Sequence, residues 1–154
     1  MQIRKYVSSD AVGVAGVISK TFSKFNHKEG TKEAVNRYVT NYSPRKNSAE
    51  LKKQFERTSL FFVAVDKGKI VGMIRGNKNR VVNLFVLGSH HGIGLGKSLL
   101  KKFENQARKA GSKMIQMRAS LYATPFYQSQ GYRKTTGIRD FMGLKVQPMI
   151  KKFI

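Results

Sequence analysis

Gly92, Gly94 and Gly96 alternate in the segment His91-Gly92-Ile93-Gly94-Leu95-Gly96-Lys97-Ser98, between an apolar run and a stretch of helical periodicity. Glycine lacks Cβ, so successive backbone N–H groups there can turn toward one concavity, and a helix starting near Leu95 adds the positive end of its dipole. That chemistry suits a pyrophosphate. Lys97 opposes the dipole by itself, and a bound anion removes the conflict. Two nucleotide signatures compete for these residues. The dinucleotide fingerprint G-x-G-x-x-G fails, because its last glycine falls on Lys97 or on Leu99. The phosphate loop G-x-x-x-x-G-K-[ST] matches at Gly96-Lys97-Ser98, but His91 stands where its first glycine belongs. It also needs an aspartate on a later strand for magnesium, and the single aspartate after the loop is Asp140, in a terminal hairpin.

The elements that must hold this loop follow from periodicity. Gln2 to Val7 alternates as a short strand, and Ser8, Ser9 and Asp10 offer caps for a helix to about Phe25. Two further helices are predicted over Lys32 to Tyr42 and Ser48 to Phe55, separated at Asn41-Tyr42-Ser43-Pro44. Leu60 to Val65 and Ile70 to Ile74 flank the turn Asp66-Lys67-Gly68-Lys69 as a β-hairpin, and Val81 to Val86 extends it to a meander. After the loop, Leu99, Leu100, Phe103 and Ala107 recur on one helix face and Gly111 ends that helix. Met114 to Met117 predicts a strand, Thr124 to Gln130 a short helix with proline in its first turn, and Tyr132 to Phe153 a closing hairpin. The strand before the loop and the strand after its helix form a βαβ unit and should lie parallel in a mixed sheet.

The loop His91-Gly92-Ile93-Gly94-Leu95-Gly96 resembles the pyrophosphate loop [Gln/Arg]-x-x-Gly-x-[Gly/Ala] of the GNAT (GCN5-related N-acetyltransferase) superfamily, with His91 in place of Gln or Arg. Leu84-Phe85-Val86 precedes it as that family's strand does, and Ala123-Thr124-Pro125-Phe126-Tyr127-Gln128-Ser129-Gln130-Gly131-Tyr132 looks like its A-x-x-F-Y-x-x-x-G-[FY] segment. Gln147-Pro148-Met149-Ile150-Lys151 is similar to the closing strand of small bacterial-type members. The resemblance implies one domain over residues 1–154, of α/β (α+β) class: a mixed, mostly antiparallel sheet flanked by helices, with a splayed parallel strand pair at the cofactor site. It implies acetyl-CoA as cosubstrate, with no metal. Its contacts would come from Leu84, Phe85, Val86, His91, Gly92, Ile93, Gly94, Leu95, Gly96, Lys97, Ser98, Ser120, Phe126 and Tyr127. The sheet would splay after Val86, freeing backbone groups of Phe85 and Val86, one N–H of which would stabilise the developing oxyanion.

Acetyl transfer to an amine needs a neutral nucleophile, oxyanion stabilisation and a proton for the departing thiolate. A phenol with a pKa of about 10 stays protonated at neutral pH and can supply that proton. The resemblance gives this role to Tyr127. The family often has a carboxylate on the sheet near the splay, where this chain offers Asn83, which can orient a water but cannot take a proton. Glu29, Glu33 and Glu56 are the other candidate bases, and bulk water suffices for an amine of low pKa. His90 and His91 have no third clustered ligand, so no metal site is expected.

Composition narrows the setting. The chain has 154 residues, no cysteine, and 30 Lys and Arg against 8 Asp and Glu, a formal charge of +22. The absence of cysteine excludes disulfides, thiolate metal sites and a cysteine nucleophile. No run reaches the roughly 18 to 20 apolar residues of a membrane span, and no signal segment is visible at the N-terminus, which makes a cytoplasmic protein the expectation. The charge favours polyanions, so a basic nucleic-acid- or ribosome-binding module with a vestigial CoA site is the alternative reading. For an enzyme, it argues against polycationic acceptors and for a neutral or anionic one, or for an amine on a protein or nucleic acid. A monomer or a homodimer is expected, the latter through a free strand over Gln147 to Ile154.

Overall fold

The computed structural model describes residues 1–153. In chain order the elements are β1 (Gln2–Lys5), α1 (Ala11–Phe25), α2 (Lys32–Asn41), α3 (Ser48–Phe55), β2 (Leu60–Asp66), β3 (Lys69–Asn77), β4 (Arg80–Val86), α4 (Leu95–Lys109), β5 (Met114–Ser120), α5 (Thr124–Ser129), β6 (Arg133–Lys134), β7 (Arg139–Phe141) and β8 (Leu144–Lys152). The strands form one eight-stranded sheet in the order β1-β2-β3-β4-β5-β8-β6, with β7 also paired to β8. Among the described residues only β4 and β5 pair in parallel. This is the mixed, mostly antiparallel sheet that the sequence predicts. Among the described residues no helix is long and apolar enough to cross a membrane.

Both faces of the central strands are covered, which is why β2 reads Leu60-Phe61-Phe62-Val63-Ala64-Val65 without alternation. Phe62 and Ala64 pack under α4, whose Leu95, Leu99, Leu100, Phe103 and Ala107 are buried on one stripe. Phe61 and Val63 face the other way, onto Val14, Ala15 and Ile18 of α1 with Leu51 and Phe55 of α3. The start of α1 is fixed by Asp10. Its carboxylate accepts the N–H of Val7 at 2.9 Å and a two-pronged bond from Arg4 at 2.8 and 2.9 Å. Burial raises the Asp10 carboxyl, but those hydrogen bonds and the Arg4 charge outweigh it and hold the group below the ordinary carboxylate range.

Two expectations are corrected. The β4–β5 pairing is confined to Arg80↔Gln116, with the Gln116 N–H reaching Asn79 O at 2.9 Å, so the strands part near Arg80 rather than after Val86. The cause is local: between Gly76↔Val81 and Arg75↔Asn83 the β3–β4 register shifts, leaving Val82 as an extra residue. Such a bulge bends and twists its strand away from the next one. The second concerns β8, which is an interior strand. β5 pairs along one edge, and β6 and β7 cover the other from Leu144 to Ile150. Strand addition by a second copy is therefore closed over that stretch, and Ile154 lies outside the described residues.

Candidate active site

Two cavities open where β4 and β5 diverge. The smaller, of about 450 Å³, is walled by Val86, by His90, His91, Gly92 and Gly94 to Lys97, and by Phe126 and Tyr122, with Thr21 and Asn26 from the end of α1. The larger, of about 1100 Å³, lies toward α2 and the β7–β8 hairpin. Leu84, Phe85, Ser120, Ala123 and Tyr127 belong to both walls. Together these hold most of the residues that the sequence nominates.

In the loop, Gly92 and Gly94 adopt the left-handed conformation, φ 78° and 80°, which side chains resist. Gly94 caps α4, and the first intrahelical bond is donated by Ser98 N–H to Gly94 O at 3.0 Å. The N–H groups of Leu95, Gly96 and Lys97 precede that bond and have no intrahelical carbonyl to meet. Ile93 and Ser98 differ from their neighbours. Ile93 is 59% exposed, the Ser98 N–H is spent inside the helix, and neither lines the cavity.

His91 acts as a strut. Its Nε2 lies 2.7 Å from Val86 O, and since a carbonyl only accepts, that nitrogen carries the proton. The ring stacks on Phe25 at 4.8 Å, and Phe25 stacks in turn on Tyr122 at 4.9 Å. His90 pairs instead with Asp66, Nε2 to Oδ2 at 2.8 Å, and this hydrogen bond holds the Asp66 carboxyl below its ordinary range.

The free backbone edge is not the one expected. Leu87 N–H donates to Val71 O at 2.9 Å, and in an antiparallel ladder every second residue points the same way. Phe85, paired with Met73, therefore spends its backbone on β3, whereas Leu84 and Val86 face the opening. With the Val86 carbonyl taken by His91, the Val86 N–H and both groups of Leu84 remain on that edge.

Tyr127 sits at the junction, 5% exposed, on the helix that begins with Thr124 and Pro125. Burial alone pushes its phenol above the ordinary value, and no protein side chain contributes to the shift. It is kept protonated. Phe126 beside it faces Gly96, where a Cβ would come within 3.5 Å of the Phe126 ring. Ser120 Oγ accepts the Ala123 N–H at 3.1 Å and so shapes the turn into α5 while lining both cavities.

Asn83 is buried and committed on both ends. Arg75 Nε–H donates to its Oδ1 at 2.6 Å, and its Nδ2 donates to the Tyr38 hydroxyl at 2.9 Å. Arg75, 4% exposed, also donates to Tyr42 Oη at 2.9 Å and lies over the Tyr42 and Phe55 rings. The sense of this chain is forced, because a guanidinium can only donate. Its last proton, on Tyr38, is free to point into the larger cavity, whose wall includes that residue. Burial raises the Tyr38 phenol, Tyr42 and Tyr127 add to the shift, and Arg75 and Asn83 oppose it without cancelling it.

Of the candidate bases, Glu33 and Glu56 do not line the larger cavity. Glu29 does, but its oxygens accept the N–H groups of Leu121 and Tyr122 at 2.8 and 3.0 Å and Asn26 Nδ2 at 3.2 Å, tying α1 to the approach to α5. Sequence reasoning missed Tyr38, Arg75 and Thr21. Arg75 had a visible signal, a lone charge inside the apolar run Ile70 to Ile74 and Gly76. Thr21 had none: its buried hydroxyl, without a protein partner, shows itself only in the cavity wall.

A diverging strand pair beside a glycine loop that opens a helix is the plan of an acetyltransferase fold. The acetyltransferase (GNAT) domain model matches residues 26–153, and the chain belongs to that family. It is similar in structure to a GCN5-related N-acetyltransferase from Rhodopseudomonas palustris, with a TM-score of 0.85 at 18% identity, covering 99% of this chain and 95% of that one. The PaiA N-acetyltransferase of Thermoplasma acidophilum, solved in complex with coenzyme A, gives a TM-score of 0.76 at 19% identity, covering 99% and 98%. An aminoglycoside 6'-N-acetyltransferase complexed with coenzyme A gives 0.68 at 16% identity, covering 100% and 98%.

Proposed function

We propose that the chain is an acetyl-CoA-dependent N-acetyltransferase that moves an acetyl group to a primary amine by direct attack on the thioester. The observation that carries this reading is that two cavities of different character meet at Tyr127. The smaller fits coenzyme A. Left-handed Gly92 and Gly94 and the spare N–H groups of Leu95, Gly96 and Lys97 suit a pyrophosphate, and Leu84 with Val86 offers pantetheine amides a strand edge. Thr21 and Ser120 add hydroxyls to the same wall.

When bound, acetyl-CoA supplies an activated acetyl thioester. The Val86 N–H stabilises charge on the reacting carbonyl oxygen, held in place by the His91 contact to the same residue. Tyr127 delivers the proton that the departing thiolate needs. Asn83 acts through Tyr38, fixing its hydroxyl on the acceptor side. No carboxylate takes the amine's proton; the amine enters neutral and loses its proton to water in the larger cavity. The nucleic-acid reading has less support, since the exposed large aromatics among the described residues are only Tyr122 and Phe141, too few for a stacking platform.

The test is thiol release from acetyl-CoA across a panel of amines, with mass spectrometry of the acceptor. Amine-dependent release matched by N-acetylation is expected. Coenzyme A binding without release for any amine would overturn the enzymatic reading.

A further inference from the structure

Of the four arginines that line the larger cavity, Arg37 is held by Met142 O and Arg45 lies on the connection after α2, which leaves Arg80 and Arg118 on the diverging strands themselves. Arg80 and Arg118 both line it, at the narrow end of the strand divergence. Arg80 faces Gln116 in the one ladder pair of β4 and β5, and Arg118 lies two residues further along β5. Among the described residues neither arginine is ion-paired with a carboxylate. Glu29 is occupied by the N–H groups of Leu121 and Tyr122, and Asp140 Oδ1 accepts the Gly143 N–H at 2.9 Å within its own turn. Arg118 rests instead on the Phe141 ring, 4.2 Å away.

Excess positive charge by itself says little in a chain of +22. The pairing says more. Free side chains on a surface spread apart to lower their repulsion, whereas Arg80 and Arg118 are rooted together by the β4–β5 contact. Burial and the Arg118 charge both weaken the hold of Arg80 on its proton, and a bound anion would oppose both effects.

We propose that the acceptor carries, besides its amine, an anionic carboxylate or phosphate that seats between Arg80 and Arg118, and that it is a short acidic peptide presenting its N-terminal amine at Tyr127. This rests on the acetyltransferase reading above. The span suits a peptide better than a free amino acid. Ser120, at the junction of the cavities, is two residues from Arg118 along β5, about 7 Å of strand, and Leu84 is four residues from Arg80 along β4, about 13 Å. A free α-amino acid holds its nitrogen and carboxylate on one carbon and spans neither distance. An acidic side chain two or three residues from a peptide N-terminus spans both.

The experiment compares C-terminally amidated tripeptides of sequence Gly-Gly-X with X as glutamate, phosphoserine, glutamine or lysine, using the full chain and acetyl-CoA. The glutamate or phosphoserine peptide is expected to exceed the glutamine peptide in kcat/KM by about tenfold or more, as a charged hydrogen-bonded contact provides. The better of the two identifies the anion. In R80Q/R118Q, and to a lesser degree in R118Q alone, that preference collapses through KM. K53Q/K109Q removes the same number of charges elsewhere and keeps the preference. Equal use of all four peptides, preference for lysine, or a preference that survives R80Q/R118Q would overturn the proposal. Calorimetry of the same peptides on the coenzyme A-loaded protein separates the two readings. Arginine-dependent binding of the acidic peptide without acetylation fails the enzyme and keeps the anion site; acetylation indifferent to charge does the reverse.

Discussion

The two cavities are built by different means. The smaller is made mostly of backbone: a helix start, two left-handed glycines and a strand edge that the bulge at Val82 leaves unpaired. The larger is made of side chains that converge from α2, β4, β5, α5 and the β7–β8 hairpin. Its roof is a contact between elements distant in sequence, where Arg37 donates to Met142 O at 2.6 Å and Thr31 N–H to Gly143 O at 3.1 Å. A backbone site tolerates changed side chains, as His91 in the loop's first position illustrates. A side-chain site can be re-specified residue by residue. The division suits a protein with one fixed cosubstrate and an acceptor of its own.

The sharpest way to break this contrast is Gly94→Glu. It forces a side chain into φ 80° and puts a carboxylate where the helix start favours an anion from solution. Coenzyme A affinity should fall by about 100-fold or more, two unfavourable terms of a few kcal/mol acting together. Calorimetry checks this, with the thermal midpoint showing that the fold persists.

Asn83→Ala should act on the other side alone. It strands the Arg75 Nε–H and frees the Tyr38 hydroxyl, so stability should drop by about 1–3 kcal/mol in urea unfolding. The KM for the amine should rise while the coenzyme A dissociation constant stays put. An effect confined to coenzyme A would dissolve the distinction between the cavities. Tyr38→Phe should reproduce the KM change with a smaller loss of stability, since the Asn83 Nδ2 it strands is neutral and Asn83 lines the open cavity.

His91→Ala tests the claim that this side chain is a strut. Loss of one hydrogen bond to Val86 O and of the Phe25 stack should weaken coenzyme A by only about fivefold, the worth of roughly 1 kcal/mol. A loss as large as that of Gly94→Glu would make the ring a direct ligand.

The smallest expected effect is in pH dependence. Tyr38, Tyr127 and Tyr132 are all raised above the ordinary phenol value, chiefly by burial, with Glu104 adding to the shift at Tyr132. A raised folded-state pKa gives stability that is complete below the unfolded value of about 10 and is lost as pH climbs beyond it. Between pH 7 and 9, neither thermal stability nor the protonation of Tyr127 should change on this account. A phenolate absorbance that develops below pH 9 with loss of activity would contradict it.

How much could be read from the chain follows the same division. The loop was legible because glycine spacing reports backbone conformation directly. The meander and α4 were legible because their apolar periods are regular. The true position of the splay was hidden, since a bulge at Val82 leaves no mark on a run that still reads Val81-Val82-Asn83-Leu84. The orientation of Phe85 and Val86 was hidden for the same reason, ladder phase being a property of pairing. The acceptor side was least legible. Tyr38 and Asn83 lie 45 positions apart and meet at 2.9 Å only through tertiary packing of α2 on the sheet. Asn83 could be singled out from its place on the strand, but its partners, and hence its proposed task, required the fold.

The central claim is that transfer happens where the cavities meet, with Tyr127 as proton donor. The most direct measurement is kcat for thiol release by wild type and Tyr127→Phe at saturating acetyl-CoA and amine, with coenzyme A affinity measured beside it. Tyr127→Phe should lower kcat by about 10²-fold or more, the scale of a lost general acid, with coenzyme A bound as before. Unchanged turnover in that variant would contradict the account.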